Sequence, residues 1–246
     1  MGASTDEPCR LLTWDSAHFG FRIGRLHGHS LTPGRAAAAD LWCAQRDVSC
    51  LYALTSGDDP LATQVAAENG FVSVATRVTL ERPAFGHPPV SDESAPFSIH
   101  EARANDLGRL KALARISHRA TRFYFDQNFP RERCDELYER WIVNCFEEPR
   151  QTVLIAGSGS DLRGYLSFGI TSGRGEISLV AVAEEFRGRR VGGELLAAVL
   201  RLIEADGAAA TRVVTQARNT PAMRLYKEAG FLVRNVENWF HKWYGQ

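Results

Sequence analysis

The chain has 246 residues, of which 44% are hydrophobic and 24% charged, an ordinary globular composition with length for one large domain or two small ones. Basic and acidic residues number 29 each, so nothing draws the chain toward nucleic acid or an anionic membrane surface. Five cysteines without a CxxC spacing (Cys9, Cys43, Cys50, Cys134, Cys145), a polar start and no long apolar run point to a cytoplasmic protein with reduced thiols, no signal peptide and no membrane span.

Residues 10–15 and 21–27 read as two strands joined by a glycine-containing turn. The Ala-rich stretch from Pro33 to Asp47 predicts a helix, with Thr32 placed to cap it. Residues 50–54 make a short buried strand, and 60–70 predict a helix with Pro60 in its first turn and Gly70 as its stop. Residues 71–81 alternate as a long strand does. Composition then shifts. Residues 82–96 carry four prolines among small polar residues, which sets a linker over 83–96 between an N-terminal unit, 1–82, and a C-terminal unit, 97–246.

The C-terminal unit opens with the strand FSIHEA and a helix over about 105–118. A polar-aromatic segment (117–130) precedes a helix over roughly 131–146. Three strands come next, QTVLIAGSG, LRGYLSFGIT and GEISLVAVAEE. A helix (191–206), a strand (211–217), a helix from Asn219 to Ala229 and the strand FLVRNVENWFHKW complete the order. Meandering strands that give way to alternating strands and helices predict an α/β (α+β) fold built on a mixed sheet.

The stretch from Glu184 to Leu196, EEFRGRRVGGELL, carries the chemistry. It is a basic, glycine-bearing turn between an apolar strand and a helix striped with Leu195, Leu196, Val199, Leu200 and Ile203. Backbone amides of such a turn and of the first helical turn form an anion site, favoured by the helix dipole. Arg187, Arg189 and Arg190 add guanidinium forks suited to phosphate oxygens. The P-loop ending Gly-Lys-Ser/Thr and the GxGxxG fingerprint are both missing, so the turn reads either as a pyrophosphate binder of another kind or as an ordinary basic strand–helix turn.

The residues Arg187, Gly188, Arg189, Arg190, Val191 and Gly192 resemble the acyl-CoA loop of the GCN5-related N-acetyltransferases (GNATs), R/Q-x-x-G-x-G/A. Arg190 stands where the pattern has its first glycine, which requires that the turn force no positive φ there. Residues 219–231, NTPAMRLYKEAGF, resemble the family's N-x-x-A-x-x-L-Y-x-x-x-G-F signature at every position. The two motifs stand in family order, and the resemblance covers about residues 97–246. It implies a mixed central sheet of GNAT type. Residues 62–72 echo 222–232, pairing Gly70 with Gly230 and Phe71 with Phe231, while Ala66 stands where the second copy has Tyr226. The N-terminal unit therefore reads as a partial, non-catalytic GNAT-like half-copy.

The resemblance implies acetyl-CoA as acyl donor and no metal. The pyrophosphate would rest on the amides from Arg187 to Gly193, and the strand Leu179 to Val182, through Val180, Ala181 and Val182, would offer exposed amides to pantetheine and the thioester oxygen. Asn219 would contact the CoA chain; it is also a plain N-cap, and the two readings are compatible. Tyr226 is the candidate general acid, since a phenol stays protonated at neutral pH and can protonate the leaving thiolate. Its plainer reading is an aromatic wedge between helix and sheet. Glu176, Asp126, Glu184 and His118 are candidates for the base, none selected by spacing, and a water relay serves as well.

Trp14, Asp15, Phe19 and Gly20 match the W-D/E-x-x-x-F-G opening of the bacterial dTDP-fucosamine acetyltransferase group, which the chain resembles in this respect. The resemblance implies a small-molecule amine acceptor, a nucleotide-linked amino sugar, with Arg122 and Tyr124 of the aromatic basic segment as candidate acceptor contacts and Arg119, Phe123 and Phe125 beside them; the plainer reading of the same residues is a cap on the sheet. A protein N-terminus, lysine or polyamine is the alternative acceptor, and a non-catalytic acyl-CoA-binding module the alternative class. His27 and His29 lack partners for a metal set. No nucleic-acid or membrane partner is expected, and monomer and homodimer fit equally.

Overall fold

The computed structural model describes residues 7–84, 97–157 and 161–245. Most of the expected linker, 85–96, lies outside these residues. The chain forms two compact units: unit 1 comprises Met1–Arg77, Thr121–Arg133 and Val236–Gln246, and unit 2 comprises Val78–Ala120 and Cys134–Asn235. Neither is the contiguous piece that composition marks out. Two long strands, β4 (Val72–Pro83) and β10 (Leu232–Trp243), each run from one unit into the other.

In unit 1, β1 (Cys9–Leu11) pairs antiparallel with β2 (Ile23–Leu26), β2 pairs parallel with β3 (Cys50–Ser56), and the far end of β10 pairs antiparallel with β3 from Glu237 opposite Ser56 to Trp243 opposite Cys50. The expected strand over 10–15 is corrected: β1 stops at Leu11 and Thr13–Phe19 forms α1. The Ser16 hydroxyl donates to the Leu12 carbonyl (2.7 Å) and accepts from Ile23 N (2.9 Å), and Gly20 closes the helix at φ 84°. Helix α2 (Pro33–Gln45) starts at the Thr32 cap as expected, and α3 (Pro60–Glu68) starts where Asp59 accepts from Ala62 N at 2.9 Å. Both cover one sheet face, where Ala36, Trp42, Leu51, Ala53, Val65, Phe71 and Phe240 form the core.

In unit 2, β5 (Ile99–Glu101), β6 (Gln151–Ala156), β7 (Gly164–Thr171) and β8 (Arg174–Val182) form an antiparallel series. The strand β9 (Ala210–Gln216) pairs parallel with β8, and the end of β4 lies beside it, with Ala84 N donating to Ala209 O at 3.0 Å. Helices α4 (Leu107–Ser117), α6 (Arg131–Glu147), α7 (Val191–Ala205) and α8 (Thr220–Glu228) complete this part of the chain, and the short α5 (Arg122–Phe125) belongs to unit 1. The stripe of α7 is fully buried on the sheet. Each of Leu195, Leu196, Val199, Leu200 and Ile203 contributes about 1.5–3 kcal/mol by leaving water.

The internal echo extends beyond the motif. Strand β9 repeats β3, α8 repeats α3 and β10 repeats β4 at a constant offset of 160 residues, as in residue 220 against 60. Gly70 and Gly230 both turn left-handed, φ 74° and 84°, and Phe71 and Phe231 are both buried.

Candidate active site

The parallel pairing of β8 with β9 runs from Arg174–Ala210 to Ile177–Val213 and stops there. Beyond Ile177 a bulge opposite Ser167 and Phe168 shifts the β7 register, and the Ser167 hydroxyl accepts from Leu179 N at 3.0 Å. Val180, Ala181 and Val182 stay paired with β7 on one edge and have no β9 partner on the other. Among the described residues, an inner strand of the sheet thus presents an open edge.

Where β8 ends, Ala183 N donates back to Arg163 O and a single tight turn leads to Arg187. Gly188 comes next at φ 73°. The amides of Gly188, Arg190, Val191, Gly192 and Gly193 have no acceptor among the described residues, whereas Glu194 N begins the helical ladder by donating to Arg190 O at 3.0 Å. Five open N–H groups at the positive end of a helix form an anion cradle. Arg187, Arg189 and Arg190 are exposed around it.

Two details of the cradle concern its backbone, and the first corrects the expectation at Arg190. The turn does force a positive φ at Arg190, 65°. A left-handed arginine costs about 1–2 kcal/mol, so the chain holds that conformation against local preference. Nor does packing require the two glycines after Val191. A Cβ on Gly192 would meet Val182 and Leu225 at the ordinary contact distances of 3.5 and 3.6 Å, and one on Gly193 would meet nothing within 4 Å. Glycine in a first helical turn still weakens the helix by up to about 1 kcal/mol relative to alanine. The room above both residues lets a ligand approach the backbone.

Asn219 caps α8, accepting from Ala222 N at 3.3 Å, with Pro221 in the first turn. Tyr226 is 3% exposed and packs against Phe231 at 5.5 Å between ring centroids. Its hydroxyl has no partner among the described residues, and burial pushes its pKa well above that of a free phenol. It packs as the wedge, and its phenol stays protonated at neutral pH.

The candidate bases scatter. Glu176 and Glu184 are exposed. His118 is hydrogen-bonded to the Tyr165 hydroxyl (2.8 Å) and stacked on Tyr138, and burial pushes its pKa down to about 4. Asp126 belongs to unit 1, where it accepts from His241 Nδ1 (2.7 Å) and Trp243 Nε1 (2.8 Å). Burial alone would raise that carboxyl, but the two hydrogen bonds bring it below the ordinary range. Asp126 fastens the last strand and is committed to structure.

Arg122 and Tyr124 also lie in unit 1. Tyr124 is 9% exposed, its carbonyl accepts from Arg131, and the Arg131 guanidinium lies over its ring. Phe123 is buried against Phe19 and Phe129, so of the three aromatics only Phe125 is exposed. Arg119 pairs with Asp135 in unit 2. Arg122 stacks on Tyr52, Phe123 and Trp239, a set the sequence could not assemble because it spans 187 positions, from 52 to 239. His29 ion-pairs with Glu237 at 2.8 Å. No cluster of three metal-ligating residues occurs among the described residues, and none of the described helices is long and apolar enough to cross a membrane.

A family model described as "Acetyltransferase (GNAT) family" matches residues 101–231. The chain is 28% identical over 238 residues to the dTDP-fucosamine acetyltransferase of Escherichia coli O6:H1, covering 94% of this chain and 96% of that one. It is 26% identical over 160 residues to the spore coat polysaccharide biosynthesis protein SpsD of Bacillus subtilis (strain 168), covering 65% of this chain and 55% of that one, so it spans only about half the length of SpsD. A solved GCN5-related N-acetyltransferase from Sphaerobacter thermophilus matches with a TM-score of 0.69 at 16% identity, covering 96% of this chain and 76% of that chain, a likeness of fold.

Proposed function

We propose, from the premise that this chain belongs to the acetyltransferase (GNAT) family, that it transfers an acetyl group from acetyl-CoA to the primary amine of a nucleotide-linked amino sugar. The observation that carries the transfer is the cradle of five open amides beside the open edge of β8. It fits a pyrophosphate joined to an extended amide chain that hydrogen-bonds to the strand. The acceptor class is supported by the two polysaccharide- and sugar-related relatives and by the arginines of unit 1.

Acetyl-CoA supplies the thioester. The amides of Gly188 to Gly193 and the guanidiniums of Arg187, Arg189 and Arg190 hold its diphosphate, and Asn219 borders the pantetheine chain. The amides of Val180 and Val182, which alternate away from β7, receive the oxyanion that develops as the acceptor nitrogen bonds to the carbonyl carbon, with Ala181 between them. As the carbon–sulfur bond breaks, Tyr226 gives its hydroxyl proton to the departing sulfur and regains one from solvent, and the new amide nitrogen loses its extra proton to water. No carboxylate is required as base.

Thiol release from acetyl-CoA, followed with DTNB across dTDP-linked amino sugars, polyamines and peptides, tests this reading with wild type and Tyr226→Phe. Turnover on nucleotide amino sugars, with kcat lowered roughly 10²- to 10⁴-fold in the variant, is the expected result. Turnover on peptides or polyamines alone overturns the acceptor. Acetyl-CoA binding without turnover on any amine overturns the enzyme in favour of a binding module.

A further inference from the structure

The sheet face of unit 1 opposite α2 and α3 is rich in arginine. Register places Arg10 opposite Arg25 and Arg25 opposite Tyr52, and the same face continues through Trp239 and Glu237 of β10. The Arg25 and Arg122 guanidiniums lie over the one Trp239 ring, 5.1 and 4.4 Å from its centroid. Arg122 also stacks on Tyr52 at 4.5 Å. Arg77 joins the group through Glu237, at 2.7 Å.

Charge on this face does not cancel. Of the carboxylates facing it, Glu237 is engaged by Arg77 and His29, and Asp126 accepts from His241 and Trp243. Asp15, the third, makes no ion pair among the described residues, and burial raises its pKa despite Arg122, His18 and Arg25 nearby. Arg25 and Arg122 have no carboxylate within 4 Å among the described residues. The Arg122 Nε and the hydroxyl of the fully buried Tyr52 have no hydrogen-bond partner among those residues. Burial pulls the Arg25 pKa down, and Arg10, Arg122 and Arg77 pull it further. Like charges gathered in a half-buried aromatic setting are costly until an anion joins them.

We propose that this face of unit 1 binds the diphosphate of the acceptor nucleotide, with Arg25 and Arg122 as the clamp and Trp239 as the wall that aligns them. The proposal rests on the nucleotide-sugar reading and gives the half-copy a task, substrate selection. Both guanidiniums are held against one ring, and each presents a planar fork suited to phosphate oxygens.

The test is equilibrium binding of dTDP and of inorganic pyrophosphate to the full chain by calorimetry, in wild type, Arg25→Gln and Arg122→Gln. Arg122 is packed among rings, so thermal melting and acetyl-CoA affinity serve as folding controls, and Arg25→Gln carries the result if Arg122→Gln fails them. The expected outcome is dTDP binding weakened roughly 10- to 100-fold in each folded variant, with acetyl-CoA affinity unchanged. Saturating CoA should leave dTDP binding intact; displacement by CoA would overturn the proposal by giving the site to the donor. No dTDP binding to wild type, or equal binding to the variants, overturns it too. Nucleotide-sugar turnover with an Arg25-independent KM sinks this inference and spares the acceptor reading. Arg25-dependent dTDP binding without nucleotide-sugar turnover spares the site and sinks that reading.

Discussion

Gly28 and Gly188 hold the same left-handed backbone, φ 71° and 73°, at corresponding points of two loops 160 residues apart. The helix starts beyond these glycines differ. After Gly188 the first turn is left open. After Gly28, Thr32 accepts from Arg35 N at 3.3 Å, Pro33 removes an amide, and the Arg35 guanidinium fills the turn by donating to Ser30 Oγ (2.7 Å) and the His27 carbonyl. The first loop thus turns carbonyl and hydroxyl oxygens toward its own cation and leaves no open amide cradle like that after Gly188. Titration with acetyl-CoA should therefore give one site per chain, and a second site of comparable affinity would contradict the comparison.

The bare first turn of α7 predicts opposed effects. Gly193→Ala adds a methyl group with nothing within 4 Å and should raise stability by about 0.5–1 kcal/mol in urea unfolding. The same methyl stands where the diphosphate is proposed to approach, so acetyl-CoA affinity should fall. A variant more stable and equally tight would show that the space serves no ligand.

Arg190 offers a paired comparison. Arg190→Gly relieves the left-handed strain and should stabilise the fold by about 0.5–1 kcal/mol after the greater unfolded-state freedom of glycine is deducted. Arg190→Ala keeps the strain and should leave stability near wild type. Both lose the charge, so both should bind acetyl-CoA more weakly than wild type, with the gap narrowing at high salt.

His241 predicts a pH dependence of stability. It is fully buried, donates from Nδ1 to Asp126, and has its pKa pushed down to about 4 by burial. An unfolded histidine titrates near 6.5. Between pH 6.5 and about 4 the unfolded chain therefore binds a proton that the native chain refuses, and stability falls as pH falls, by at most about 1.4 kcal/mol per unit from this group. His241→Asn keeps a donor for Asp126 and should flatten the slope of unfolding free energy between pH 6.5 and 4.5. An unchanged slope would assign the acid sensitivity elsewhere.

The sequence made local features legible and pairings opaque. Thr32, Pro60 and Gly70 announce the bounds of α2 and α3 because caps and stops act on their own neighbours. The Arg-Gly turn and Tyr226 are readable for the same reason: they form continuous motifs. Helix α1 is missed because seven residues hold too little periodicity, and its real signals, the Ser16 side-chain bonds and the Gly20 stop, look like a turn. The union of Arg25, Tyr52, Arg122 and Trp239 is decided by strand pairing at long range, which no local pattern encodes.

The two shared strands also bear on how the molecule comes into being. Unit 1 takes its last strand from Val236–Gln246, so the segment synthesised first, which ends at Arg77, must wait for residues 78–235 before its sheet is complete. Until then β3 presents a bare edge, the kind of surface that recruits foreign strands. Trp243 and His241, joined to Asp126, are the latch that ends this exposure. A chain cut just before residue 236 would lose the sheet partner of its earliest portion and should emerge from the ribosome as a client for chaperones.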